Sequence, residues 1–135
     1  MVVFPPETAA TLLRDIKPLL FLSILSVAAA GYCTIDEQKV LAAEFRGYLA
    51  ESVIVRGEKS LELVQALQVA SLWYRATDHH TQMNLNQLAH MATTMAIDLG
   101  LDKIEVLEPV GKFQDNWIHM EAQRAWLGCF LLSAR

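Results

Sequence analysis

The residues most able to do chemistry are scattered. His79 and His80 are adjacent, so on a helix their side chains diverge by about 100° and on a strand they face opposite sides. They make a poor chelate. His90 has Thr94 at the following helical position where a ligand pair needs His, Asp or Glu, and His119 and Glu121 are two apart, so they cannot share a helical face. No metal is expected in this chain. Gly128-Cys129-Phe130 is not a nucleophile elbow, and the six glycines form neither a dinucleotide fingerprint nor a P-loop. Asp98 with Asp102, and Glu58 with Glu62, are carboxylate pairs at helical spacing. Exposed acids near helix ends ordinarily serve capping and solubility. Cys33 and Cys129 are too few for a closed zinc site or a multi-bridge scaffold and are expected to pack as small apolar residues.

Aromatic residues are the remaining resource. Trp73, Tyr74, Trp126 and Phe130 place large apolar groups near predicted helix ends, where they line either a core or a pocket for an apolar ligand. Aromatics at helical spacing are ordinarily packing residues, so core is the preferred reading. Glu121 and Arg124 stand at i, i+3 and can pair on the last helix; held among the tryptophans instead, Arg124 would fix the helix register.

Composition limits the possibilities further. The 135 residues are enough for one domain or part of one. Hydrophobic residues make up 53% before glycine is counted, and charged residues only 19%. Usual values are ~45–50% with glycine included and ~25%. A chain of this size is hard put to bury so much apolar surface alone, which points to partners or to a piece of something larger. The net charge of −4 excludes the basic footprint of a direct nucleic-acid reader. The uncharged run from Pro18 to Ala30 is shorter than the roughly 20 residues a spanning helix needs. It also lacks the Lys/Arg-rich polar face of a membrane-surface helix.

The elements that must position these residues read as helices throughout. A short helix is expected from about Glu7 to Ile16, and a second opens at Pro18 and stops by Gly31. Thr34-Ile-Asp-Glu37 has the capping-box form and starts a helix carrying Leu41, Phe45, Tyr48 and Leu49, which runs out before Gly57. Ser60 caps the next helix, apolar on nearly every side and therefore central. Leu85, Leu88, Ala89, Ala92, Met95, Ala96 and Leu99 form a stripe closed by Gly100. Residues 101–115 read as a loop, and a last helix starts near Asn116 and reaches the C-terminal end without a capping signal. Only Val53-Ile-Val55 groups β-branched residues, so the class is all-α: antiparallel helical hairpins packed as a bundle or array, expected to be an incomplete piece of a larger helical domain.

Three segments in order then resemble the regulatory domain, or middle homology region, of fungal zinc-cluster transcription factors. They are Ser60-Leu-Glu-Leu-Val-Gln-Ala-Leu-Gln-Val-Ala-Ser-Leu-Trp-Tyr74, Gln87-Leu-Ala-His-Met-Ala-Thr-Thr-Met-Ala-Ile-Asp-Leu-Gly-Leu101 and Glu121-Ala-Gln-Arg124-Ala-Trp126-Leu-Gly-Cys-Phe-Leu-Leu132. Lys17-Pro-Leu-Leu-Phe-Leu-Ser-Ile24 is similar to an upstream helix of that domain. Gln123 departs from the family's Arg-Arg pair, and Phe130 from a common tyrosine. The resemblance implies an N-terminal segment over residues 1–16 and part of the regulatory domain over 17–135, with Glu121, Arg124 and Trp126 as structural motif residues. It implies a nuclear regulator without catalysis. Zinc and DNA contact would belong only to a six-cysteine module that has no counterpart here. Partners would be the rest of the helical domain, another protein, a second copy or a small-molecule effector. The alternative from the residues alone is an α-helical enzyme or binder with an apolar small-molecule pocket. An enzyme of lipid or terpene type would need clustered aspartates, and no two are adjacent.

Overall fold

The capping box of Thr34 and Glu37 is complete: Thr34 Oγ1 accepts the Glu37 N–H at 3.3 Å, and the Glu37 carboxylate accepts the Thr34 N–H at 2.9 Å. Local signals also start the helices at Pro18 and at Leu61. Pro18 occupies the first turn of its helix, where a missing N–H costs nothing. Ser60 Oγ accepts the Leu63 N–H at 3.2 Å. The computed structural model describes residues 2–73, 85–103 and 113–134. Among the described residues there are six α-helices and no strand: α1 Ala10–Ile16, α2 Pro18–Ala28, α3 Ile35–Ala50, α4 Leu61–Leu72, α5 Leu85–Asp98 and α6 Phe113–Ser133.

Helix α4 is the hub. It packs against α2, α5 and α6, while α3 lies on α2 and α5 on α6. Leu63, Val64, Ala66 and Leu67 of α4 are buried. Around them close Leu19 of α2, Phe45 and Leu49 of α3, Leu88 and Met95 of α5, and Ala125 and Cys129 of α6. Each large apolar side chain in this core contributes roughly 1.5–3 kcal/mol through burial. Ala92 and Ala96 face inward on α5, and Ala122 and Ala125 on α6. Such small residues let neighbouring helices approach closely.

The boundaries differ from expectation where a local signal was weak. Helix α1 begins at Ala10, after a turn in which the Thr8 N–H donates to the Pro5 carbonyl at 3.0 Å, and it buries none of its residues. The β-branched run forms a five-residue π-helical turn, Glu51–Val55, continuous with α3, in which the Arg56 N–H reaches the Glu51 carbonyl at 2.9 Å. Gly57 follows with φ +63°, a left-handed conformation that glycine takes without strain. The α5 stripe ends a turn early: Leu88, Ala89, Ala92, Met95 and Ala96 are buried, whereas Leu99 is exposed just before Gly100 at φ +74°. Leu101–Lys103 is a 3-10 turn with Leu101 buried, and α6 begins at Phe113 rather than near Asn116.

Candidate functional site

A polar cluster lies where α2, α4 and α6 meet. Lys17, at the α1–α2 junction, donates from Nζ to Glu121 Oε1 on α6 and, at 3.0 Å, to Gln65 Oε1 on α4. Gln65 Nε2 in turn donates to Glu121 Oε1 at 2.8 Å. One turn along α4, Gln68 Nε2 donates to the Ala125 carbonyl at 2.5 Å and to Cys129 Sγ at 3.2 Å. Gln65 and Gln68 are 2% and 1% exposed, so these amides work in the low-dielectric interior. Gln68 Oε1 has no hydrogen-bond partner among the described residues. Burial pushes the Cys129 thiol up from its ordinary range, and hydrogen bonds with Gln68 and Thr93 offset part of that rise.

Glu62 extends the same junction. Its carboxylate accepts the backbone N–H groups of Leu19 at 2.8 Å and Leu20 at 3.2 Å. This carboxylate thus caps the N-terminus of α2, satisfying two donors that a helix start leaves orphaned. The arrangement suits fastening helices together: each charged atom is engaged by a neighbour, and no nucleophile with an adjacent base stands among them.

The residues singled out from sequence do not converge. Trp73 sits at the C-cap of α4 and is 65% exposed, and Phe130 is also 65% exposed, so the core assignment is corrected for both. The inner face of α6 is taken by Ala122, Ala125, Cys129 and Leu132, and Phe130 stands about 100° round from Cys129. Helix α4 has its last buried residue at Ser71, two positions before Trp73. Trp126 is half-buried against the core. Tyr74, His79 and His80 lie outside the described residues. Glu121 is engaged by Lys17 and Gln65, whereas the Arg124 guanidinium lies 5.4 Å from the Trp117 ring centroid, the cation–π alternative to an i, i+3 ion pair.

His90 is exposed, and His119 Nε2 lies 3.2 Å from Gln123 Nε2 on the next turn. The carboxylate pairs are likewise divided: Asp98 binds Lys59 at 2.6 Å and Glu58 binds Arg56 at 3.1 Å. Among the described residues no group of three or more His, Cys, Asp or Glu is placed to hold a metal ion, and no helix is long and apolar enough to cross a membrane. Sequence reading missed Lys17, Gln65 and Gln68. The available signal was two glutamines, at i and i+3, within a helix expected to be buried on every side.

A family described as fungal specific transcription factor domain matches residues 7–133. Transcription factor pbcR of Emericella nidulans is 31% identical over 147 aligned positions, which cover 96% of this chain and 19% of that protein. Transcription factor himD of Aspergillus japonicus is 37% identical over 98 positions, covering 73% of this chain and 16% of that protein. The chain therefore spans less than a fifth of the length of either relative. No solved structure gives a significant match. With the family match running from the turn before α1 to the last residue of α6, this chain belongs to the fungal specific transcription factor domain family.

Proposed function

We propose that the chain is a regulatory, partner-contacting helical part of a fungal transcription regulator, acting in the nucleus and carrying no catalysis of its own. The observation that carries this reading, beside the family match, is the outer stripe of α6. Leu127, Phe130 and Leu131 are 59%, 65% and 65% exposed on a helix whose opposite side is buried. Ala125 to Ala134 contains no charged residue. A continuous apolar surface of this kind is an interaction feature, and the outside of a helix cannot enclose a small molecule. Protein contact is therefore favoured over an effector pocket, whether the contact comes from further helices of the same regulator, a second copy or another protein. DNA contact, and zinc with it, is assigned to a separate module of the whole regulator.

The test is a reporter assay in a fungal host. The chain is fused to an unrelated DNA-binding module, and reporter output is compared with that of the module alone. Output should change, and Leu127→Glu with Leu131→Glu should return it to the module's own level. Unchanged output, or a double variant as active as the parent fusion, would count against the proposal.

A further inference from the structure

We draw no further inference here: the strongest candidate, the hollow between the end of α3 and α5 lined by Arg46, Leu49, Ala50, Val53, Ile54 and Met91, is an almost wholly apolar face, and nothing in the structure shows what covers it.

Discussion

Glu121 receives both the Lys17 ammonium and the Gln65 amide on a single carboxylate oxygen while only 15% exposed. Breaking a shielded pair from one side costs more than never having built it, because the abandoned charge keeps its desolvation penalty. Glu121→Ala is therefore expected to lower stability by about 2–3 kcal/mol in urea unfolding. Replacing the whole cluster, Lys17→Met with Gln65→Leu and Glu121→Met, should cost no more than about 1 kcal/mol. A triple variant less stable than the single one would show that the cluster is a net source of stability. The same three residues are expected to favour one register, since a slip of α6 along α4 by one residue would move Glu121 away from both partners at once.

At the scale of elements, glycines separate propensity from conformation. Gly47 lies in the interior of α3, exposed, with nothing within 4 Å of where a Cβ would stand, and Gly57 is equally unobstructed but at φ +63°. Gly47→Ala should raise stability by about 0.5–1 kcal/mol, and Gly57→Ala should lower it by about 1 kcal/mol through backbone strain alone. Thermal melts of the two variants should move in opposite directions. This contrast also bears on what sequence could reveal. Thr34 with Glu37, Pro18, Ser60 and Gly100 act within a few residues of themselves, and the helices they bound were legible. The contacts from Glu62 to Leu19 and from Gln65 to Glu121 span 43 and 56 positions. No local pattern encodes which helices will lie side by side, so the polar junction was hidden even though α4 was recognisably central. Trp73 and Phe130 failed for a related reason. Composition marks them as apolar, but Trp73 falls past the last buried residue of α4, and on α6 the inner face is taken by Ala122, Ala125 and Cys129.

For the molecule as a whole, α4 is saturated with neighbours and α6 is not. The purified chain should be strongly helical by circular dichroism, bind a hydrophobic dye and self-associate in sedimentation experiments. Leu127→Glu with Leu131→Glu should diminish dye binding and association while leaving stability within about 0.5 kcal/mol, as surface substitutions usually do. A parent chain that stays monomeric and dye-silent would mean that the outer stripe of α6 is not adhesive in water. Apolar content of 53% thus supplies a core around α4 and an exposed stripe on α6, with further exposed apolar side chains such as Ile16, Ile35 and Ile54 elsewhere.

The carboxylate that starts α2 arrives late. Helix α2 has 11 residues, none charged, and short isolated helices are marginal in water. Its first amides wait for Glu62, which the ribosome adds 43 residues after Leu19, a delay of several seconds at about 5–20 residues per second. Throughout that interval the nascent chain carries a greasy, unfastened stretch of the kind holding chaperones bind. Recovery of folded protein in cells is accordingly expected to depend on how that stretch is sheltered until synthesis has passed α4.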